Sequence, residues 1–399
     1  HPAADVLTVL RQQGCGIMQV PELTELASAD GIRNLKPVLI EDLLGRPSRQ
    51  LDLSAIAEIV TDNVVLITGA GGSIGSEMAR QLSGLNPSAL VLVDHSEFNL
   101  YQIELELREL APDLTLYCVM ADVRDEAALN SVVANFQPRF ICHAAAYKHV
   151  PLVEANPLAG ISVNVLGTAN LLKVAAANKV GTVMMISTDK AVNPTNVMGA
   201  TKRAAELVMQ TYEDQLQTIA VRFGNVLGSS GSVIPHFQKQ IAQGGPVTVT
   251  HKQAERYFMT INEAVALTLR ATALGIAEQS RGQIYMLDMG ESVRIWDLAE
   301  SMIKLSGLTP GNDIEVKEIG LRPGEKLKEE LRYDAELMRK TSVPEIYQVS
   351  SHAKKSTQQL LAKLTKACAA GDTTRAIALL QDLVPEYQPA ENSPYRSAA

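Results

Sequence analysis

The sequence predicts an α/β protein with a doubly wound parallel sheet and a smaller, irregular C-terminal lobe. Short runs of continuously apolar residues, which suit strands covered on both faces, alternate with helical patterns from residue 64 onward. A glycine-rich turn follows the first of these runs and opens a helix. After residue 225 the alternation gives way to shorter elements separated by Gly, Ser and Pro, which indicates the second, less regular lobe.

The predicted strands and helices follow one another in turn. Apolar runs occur at 64–68, 89–94, 114–122, 139–146, 180–188 and 217–225. Helical patterns lie between them at 73–85, 97–110, 125–135, 159–178 and 197–215. Each helix is therefore expected to be a crossover that brings the chain back to the same edge of a parallel sheet.

The chain is predicted to have four segments. Residues 1–60 are an N-terminal extension or the remnant of a preceding domain, because sixty residues give only a marginal core. The sheet domain occupies 61–225 and the smaller lobe 226–345. Residues 346–399 hold two helices and a Pro-rich tail that is disordered or draped on the surface.

Composition narrows the range of functions. The net charge of −8 at pH 7 argues against a nucleic-acid-binding surface. No apolar run approaches the ~20 residues of a membrane span, so this chain is expected to make no membrane contact itself. The four cysteines lack metal-like spacing, which predicts thiols in a reducing, cytoplasmic compartment and no metal site. Because the chain begins at His1, we expect a processed form or a fragment.

The glycine-rich turn has the pattern of a phosphate-binding loop. Its residues are Gly69, Gly71, Gly72, Ser73, Ile74 and Gly75. Glycines let the backbone approach a pyrophosphate, and the N-terminus of the following helix offers unpaired N–H groups. The turn follows a predicted strand and opens a predicted helix, the context that a dinucleotide-binding Rossmann sheet requires. A plain tight turn is the alternative.

Acidic residues at the ends of the next two strands extend this site. Asp94, followed by His95, can accept hydrogen bonds from the adenosine ribose hydroxyls, which favours NAD over NADP. Asp122, followed by Val123, could meet the adenine ring. Each aspartate has an alternative role as the cap of the helix that follows it.

A hydroxyl, a carboxylate and an amine lie together where the fifth strand ends, at Thr188, Asp189 and Lys190. Ligands of open α/β sheets bind at the carboxyl ends of the strands. Neighbours on a regular strand point to opposite faces, so both charged groups can act on one ligand only if the strand has ended by Asp189. The next helix carries Met198 and Lys202 on one face.

Several motifs occur together in one order. They are TGAGGSIG (68–75), ADVRD (121–125), HAAAYKHVP (143–151), STDKAVNPTNVMGATK (187–202) and RFGNVLGSSGSVIPHF (222–237), with Asn164, Gly167 and Thr168 between them. Together they resemble the extended short-chain dehydrogenase/reductase superfamily. More narrowly, they resemble the UDP-N-acetylglucosamine 4,6-dehydratases of bacterial surface-glycan synthesis, over roughly residues 60 to 345.

The resemblance implies an NAD-dependent elimination on UDP-N-acetylglucosamine: oxidation at C4, loss of water across C5 and C6, and hydride return to C6. It implies that Lys190 is the C5 base and Asp189 the C6 acid, with Thr188 near the C4 oxygen. Lys202 would hold the nicotinamide ribose. Met198 stands where the superfamily has tyrosine, so the base for the C4 hydroxyl is either Asp189 directly or a relay through Thr188 and water. Core packing for Met198 and a structural Asp–Lys pair are the alternatives.

The remaining site residues are also implied by the resemblance. Those of the cofactor site are Ala144, Ala145 and Ala146; those of the substrate site are Lys148, His149, Asn225, Ser232, Val233, Arg256, Arg322, Glu325 and Lys326. The arginines suit a diphosphate because their planar fork binds two oxygens at once. Surface charge and a structural histidine are the alternatives for the basic members.

Two other functions compete with the dehydratase. One is a UDP-hexose 4-epimerase or another oxidoreductase of the superfamily, which would ordinarily need the missing tyrosine. The other is a non-catalytic NAD-binding sensor, which the presence of Lys190 and Lys202 argues against. The resemblance further implies a homo-oligomer, with a dimer favoured, and membrane anchoring of larger relatives by helices that precede this region.

Overall fold

The computed structural model describes residues 52–331, 337–350 and 356–395, together with the backbone of two short strands before them. Those strands, Met18–Gln19 (β1) and Lys36–Pro37 (β2), pair antiparallel. The rest of the predicted N-terminal segment before residue 52 lies outside the described residues.

The strands that follow include six that match the apolar runs of the sequence and others, after residue 224, that were not predicted. They are β3 Val64–Thr68, β4 Ala89–Asp94, β5 Leu116–Met120, β6 Phe140–His143, β7 Thr182–Ile186, β8 Gln217–Arg222, β9 Asn225–Val226, β10 Val247–Val249, β11 Glu255–Arg256, β12 Phe258–Met259, β13 Gln283–Leu287, β14 Val293–Arg294, β15 Val316–Glu318, β16 Met338–Lys340 and β17 Ile346–Val349. Two predicted runs, 64–68 and 89–94, coincide with the observed strands, and the other four end two or three residues beyond them.

The described helices include all those that the sequence predicts and five that it does not. They are α1 Ser54–Val60, α2 Ser73–Ser83, α3 Glu97–Leu110, α4 Glu126–Phe136, α5 Val150–Ala155, α6 Pro157–Ile161, α7 Thr168–Ala177, α8 Val197–Gln210, α9 Val233–Ala242, α10 Ile261–Ala277, α11 Ile295–Leu305, α12 Thr357–Ala369 and α13 Thr373–Leu383. A π-helical turn, Ser162–Gly167, joins α6 to α7, so the predicted helix 159–178 is interrupted.

The central sheet has nine strands in the order β16-β17-β13-β8-β7-β6-β3-β4-β5. The seven strands from β13 to β5 are parallel, and β17 and β16 extend one edge in antiparallel register. The chain reverses its direction of winding between β3 and β6. Ligands of doubly wound sheets bind beyond the carboxyl ends of the strands at this point. The predicted α/β class with a parallel Rossmann sheet is confirmed.

The described chain groups into two compact units, and we describe each by itself. The larger comprises 50–225, 261–290 and 322–399 and contains the nine-stranded sheet. The smaller includes 226–260 and 291–321 and has its own core, in which Phe237, Val249 and Met302 are buried. The functional division at residues 225 and 345 stays a prediction.

The core of the larger unit lies between the sheet and its helices. Every residue of α8 is buried, and α8 contacts α7, β8, α12 and α13. The segment Pro157–Ala177 is long and apolar enough to cross a membrane, but 61% of its most apolar window is buried inside the structure. It is placed as a core helix of this unit.

The Pro-rich tail packs against the larger unit as far as Tyr395. The Gln388 and Ala390 N–H groups donate to the carbonyls of Pro194 and Thr195 at 3.0 Å each. Tyr387 and Ser393 are buried. Of the two expectations for this tail, the structure supports the one in which it lies on the protein surface.

Candidate active site

The glycine turn and Asp94 form one hydrogen-bonded unit at the carboxyl end of β3 and β4. One Asp94 carboxylate oxygen accepts from the Gly71 N–H at 2.9 Å, and the other accepts from the Ser96 N–H at 2.9 Å. The Ser96 side chain, not Asp94, caps α3. Asp94 therefore fixes the turn, and its side chain also lines the groove beside it.

Space explains most of the glycines in the turn. A Cβ on Gly75 would lie 2.1 Å from the Gly69 carbonyl oxygen, and one on Gly69 would lie 2.6 Å from the Ala145 nitrogen. Gly72 differs, because the nearest atom to its added Cβ is the Gly69 oxygen at 3.2 Å. This contact is tight, but it is less severe than those at Gly69 and Gly75, and Gly72 also lines the groove.

The groove brings together most of the predicted cofactor residues. It is lined by Gly69, Gly72, Val93, Asp94, His95, Asn99, Ala121, Asp122, Val123, Ala144, Ala145, Ala146, Tyr147 and Val163. The Asp122 carboxylate accepts from the Arg124 guanidinium, which lowers the Asp122 pKa. Asp125, not Asp122, caps α4. Asn99 and Tyr147 were not predicted as site residues, although Tyr147 belongs to the motif HAAAYKHVP.

Strand β7 ends at Ile186, and the predicted acid and base begin a single 3-10 turn, Asp189–Ala191. The Asp189 side chain is fully buried. Its Oδ1 accepts from the Thr188 hydroxyl and from Lys190 Nζ, both at 2.9 Å. Lys190 Nζ also donates to the Asn225 side-chain oxygen at 3.0 Å. Four of the predicted residues therefore form one connected cluster.

The second carboxylate oxygen of Asp189 is buried and accepts no hydrogen bond from any described residue. A buried acceptor without a partner is unfavourable by about 1–3 kcal/mol, and such atoms are enriched where ligands bind. The cluster thus presents one oxygen that a proton or a ligand hydroxyl could satisfy.

Lys202 lies beneath the strand end. Its Nζ donates to the Ile186 carbonyl at 2.6 Å, and burial lowers the Lys202 pKa to about 8. Met198, four residues earlier on α8, is buried within the core of the larger unit. Lys202 is not a solvated helix lysine, and its remaining protons are available to a bound ligand.

A buried ion cluster that was not predicted contacts the end of β7 through Ser187. Glu206 accepts from the Ser187 hydroxyl at 2.6 Å and from two nitrogens of Arg222 at 2.7 Å. Burial opposes ionisation of Glu206, but the charge of Arg222 and its hydrogen bonds lower the Glu206 pKa to about 2. Arg203 adds a second cation at 3.0 Å. An arginine inside the apolar strand β8 is the signal that could have revealed this cluster, because a buried charge needs a partner.

The predicted diphosphate residues of the larger unit lie on one loop beside the strand end. Lys326 Nζ donates to the Val192 carbonyl at 3.3 Å, and Arg322 pairs with Glu325 at 2.8 Å. His149 is exposed, and its pKa is lowered by desolvation and by the charges of Lys148 and Arg322. Two cations near His149 give this surface a positive field that suits an anion.

The other predicted substrate residues belong to the smaller unit. Ser232 precedes α9, Val233 begins it, and Arg256 lies on β11. The Ser232 hydroxyl is buried and has no hydrogen-bond partner among the described residues. Within the described ranges, no group of acidic, His or Cys residues could hold a metal ion.

Comparison with known proteins supports this description. Residues 65–351 match the family model described as "Polysaccharide biosynthesis protein". The chain belongs to this family. The predicted relation to nucleotide-sugar enzymes of polysaccharide synthesis is thereby confirmed at the level of the family.

Curated relatives include two kinds of enzyme. The Staphylococcus aureus capsular polysaccharide biosynthesis protein CapD is 48% identical over 80% of this chain and 53% of its own length. A Campylobacter jejuni UDP-N-acetylglucosamine 4,6-dehydratase (inverting) is 32% identical over 66% of this chain and 76% of its own. A Rickettsia rickettsii UDP-glucose 4-epimerase is also 32% identical, over 72% of this chain and 83% of its own. The chain spans little more than half the length of CapD.

Solved structures share the fold. Pen from Bacillus thuringiensis superposes with a TM-score of 0.66 at 32% identity, covering 73% of this chain and 87% of its own. DesIV from Streptomyces venezuelae, a dTDP-glucose 4,6-dehydratase with NAD and TYD bound, has a TM-score of 0.56 at 23% identity, covering 68% and 87%. At that identity, the likeness to DesIV concerns the fold alone.

Proposed function

We propose that this chain catalyses the NAD-dependent 4,6-dehydration of UDP-N-acetylglucosamine, for bacterial surface-glycan synthesis. The product would be a UDP-2-acetamido-2,6-dideoxy-4-ketohexose. The cluster of Thr188, Asp189 and Lys190 supports this proposal most directly, because an elimination needs an acid and a base at one place. The family and the named dehydratase relative point the same way.

The groove residues fit NAD. Gly72 has no side chain, so a pyrophosphate could approach the backbone of the turn before α2. The first N–H groups of the 11-residue helix α2 would also be offered to the pyrophosphate. Asp94 lines the same groove and has acceptor capacity beyond its two backbone partners, which suits ribose hydroxyls. When bound, NAD would accept a hydride from C4 and return it to C6.

The proton transfers balance if the cycle starts with Asp189 ionised and Lys190 neutral. Asp189 takes the proton of the C4 hydroxyl, directly or through Thr188, whose hydroxyl already donates to it at 2.9 Å. Lys190 then removes the C5 proton while Asp189 gives its proton to the departing C6 hydroxyl, which leaves as water. Lys190 returns a proton to C5, and both groups recover their starting states.

Met198 supports the dehydratase over the epimerase. A thioether cannot take the proton of the C4 hydroxyl, so a tyrosine-based oxidation is not available at that position. Asp189 performs this transfer in the proposal, and its unpaired buried oxygen is suited to it. Lys202, whose pKa is lowered to about 8 by burial, would hold the nicotinamide ribose.

Substrate binding in the proposal uses the basic residues of the Arg322 loop. Arg322 and Lys326 would bind the diphosphate, and Asn225 would orient Lys190 through their 3.0 Å contact. Lys148 and His149 would line the sugar site. Homo-oligomerisation, and a membrane anchor supplied outside this chain, remain expectations from the resemblance.

The epimerase is the second candidate because one relative carries that name. Purified protein is incubated with UDP-N-acetylglucosamine in deuterated water, without added NAD. The dehydratase predicts loss of one water and deuterium at C5. A C4 epimer of unchanged mass would support the epimerase instead. Unreacted sugar together with retained NAD would point to a non-catalytic binding protein and would contradict the proposal.

A further inference from the structure

The C-terminal segment that follows α13 contacts the loop between Lys190 and the helix α8 of the proposed active site. That loop, residues 192–196, joins Lys190 to α8, which carries Met198 and Lys202. The Pro194 and Thr195 carbonyls accept from the N–H groups of Gln388 and Ala390, as described above. These two bonds use backbone atoms on both sides, so they hold the loop by its backbone.

Asn392 bonds the same segment to the loop of Arg322. Its side-chain oxygen accepts from the Gly324 N–H at 3.3 Å, and its side-chain nitrogen donates to the Arg322 carbonyl at 3.3 Å. The Gly324 carbonyl in turn accepts from the side chains of Thr195 and Asn196, at 3.3 and 3.0 Å. Asn392 thus completes a series of hydrogen bonds between the 192–196 loop, which follows the proposed acid–base pair, and the Arg322 loop, which would bind the diphosphate.

Two further contacts bind the segment to the start of α8. The Tyr395 hydroxyl donates to the Glu154 carbonyl at 2.9 Å. The Glu154 side chain, which is buried, accepts from the Val197 N–H at the first residue of α8, also at 2.9 Å. At the other end, Glu386 lies 3.5 Å from the Arg203 guanidinium on α8. The segment therefore contacts α8, its entry loop and the helix beside it.

Gly324 shows how closely these elements meet. It has a φ of +78°, and a Cβ there would lie 2.5 Å from the Asn196 Cβ and 3.0 Å from a Glu154 side-chain oxygen. Asn196 caps α8 through the Gly199 N–H at 2.7 Å. A displacement of the Arg322 loop would therefore be transmitted to the cap of the helix that carries Lys202.

We propose that residues 388–395 are a positioning element that holds the Lys190-to-Met198 loop and the Arg322 loop in one fixed relation. The proposal rests on the proposed function, since it concerns the acid–base pair and the diphosphate site of that reaction. The segment contacts Arg322 at its backbone carbonyl and not at the guanidinium. It acts through the 192–196 loop, Gly324 and Glu154.

Three variants of the full chain test this role. Asn392→Ala removes two side-chain bonds to the Arg322 loop from an exposed position. Gln388→Ala is the matched control, because the contact of Gln388 with Pro194 uses its backbone N–H, which the variant keeps. A chain ending at Tyr387 removes the whole segment but keeps α13. Each is compared with the parent for kcat and KM with UDP-N-acetylglucosamine, UDP affinity, bound NAD and Tm.

We expect Asn392→Ala to raise KM and weaken UDP binding by about tenfold, with bound NAD and Tm close to the parent values. Gln388→Ala should match the parent. The shortened chain should lose kcat as well as affinity, and a peptide of residues 386–395 added in trans should restore part of both. A fall in Tm without a change in KM or UDP affinity would show a purely structural role and overturn the proposal.

The failure of this proposal is distinguishable from failure of the proposed reaction. If the parent chain does not dehydrate UDP-N-acetylglucosamine, the reaction proposal fails, but UDP affinity still compares the variants. If the shortened chain does not fold, Asn392→Ala against Gln388→Ala decides the question. Parent-like KM and UDP affinity in Asn392→Ala would then refute the positioning role.

Discussion

Replacing Asp189 by asparagine separates the proton transfers of the proposed reaction. Asparagine has nearly the same shape, and its side-chain oxygen can still accept from Thr188 and Lys190, which now lie 2.9 Å from Asp189 Oδ1. The fully buried side chain is therefore replaced with little change in packing. What is lost is the ability to take up and release a proton.

The size of the effect follows from the number of transfers assigned to Asp189. General acid or base catalysis contributes about 10²–10⁴ for a positioned group. Asp189 is assigned two transfers, at the C4 hydroxyl and at the C6 hydroxyl, so the upper end applies. We expect kcat to fall by about 10⁴, which corresponds to about 5.5 kcal/mol in the activation free energy.

The assay measures two events with the same sample. Loss of water from the sugar is followed by mass spectrometry, and reduction of the bound nicotinamide by its near-ultraviolet absorbance. Asp189→Asn should block both events. Lys190→Met should block water loss but allow reduced nicotinamide to accumulate, because Lys190 acts only after C4 is oxidised in the proposal.

An exposed aspartate provides the matched control. Asp297 pairs with Arg294 at 2.9 Å in the smaller unit, with half of its side chain exposed, so Asp297→Asn should leave kcat and bound NAD unchanged. The reasoning is refuted if Asp189→Asn keeps kcat within tenfold of the parent. It is also refuted if Lys190→Met prevents reduction of the bound nicotinamide, as Asp189→Asn is expected to do.

The glycine turn and the buried charges give further predictions. Gly72→Ala should lose most bound NAD with a smaller fall in Tm than Gly75→Ala, because its Cβ would lie 3.2 Å from the Gly69 oxygen and that of Gly75 2.1 Å. Lys202→Met should abolish activity yet stabilise the fold by about 2 kcal/mol at pH 7. Burial lowers the Lys202 pKa from 10.5 to about 8, which destabilises the fold by about 3 kcal/mol below pH 8, and this destabilisation disappears as the pH rises to 10.5. Loss of the hydrogen bond to the Ile186 carbonyl offsets about 1 kcal/mol of the gain in Lys202→Met. Glu206→Gln should destabilise the fold by about 3–5 kcal/mol at pH 7, because Arg222 is left without its buried counter-charge. The pKa of Glu206 is about 2 when folded, so in the parent its contribution is present above pH 4.5 and is lost as the pH falls towards 2; urea unfolding across pH measures both effects.

Local sequence signals were sufficient for six of the seven parallel strands, and β13 was not predicted. Each run from β3 to β8 is apolar and is followed by a helical pattern, although the edge strand β5 is partly exposed. The antiparallel strands β16 and β17 were not predicted, because MRK and IYQV are short and mixed in polarity. Their assignment depends on pairing with β13, which is distant in the sequence.

In the candidate site, too, some features follow from local sequence and others depend on contacts between distant residues. Asp189 and Lys190 were found because they are adjacent in sequence and follow a strand, and Asp94 because it ends one. The sequence did not predict which groups these residues would hydrogen-bond, although Gly71 and Asn225 were both predicted as site residues. The Gly71 N–H that binds Asp94, and the Asn225 oxygen that binds Lys190, are brought close only by the folded sheet. Sequence patterns thus indicated which groups carry chemistry, and tertiary packing determines how they are held.

The complete burial of α8 has a consequence for how this protein can vary. A helix on a protein surface tolerates substitution along one face, so its variation repeats every three to four residues. All residues of α8 from Val197 to Gln210 are buried, with α12 and α13 among its neighbours. Sequence change along α8 should therefore be restricted at every position, without a helical period. Evolution of new specificity in this protein is then confined to the loops around Met198 and Lys202, because the helix that carries them has no free face on which to change.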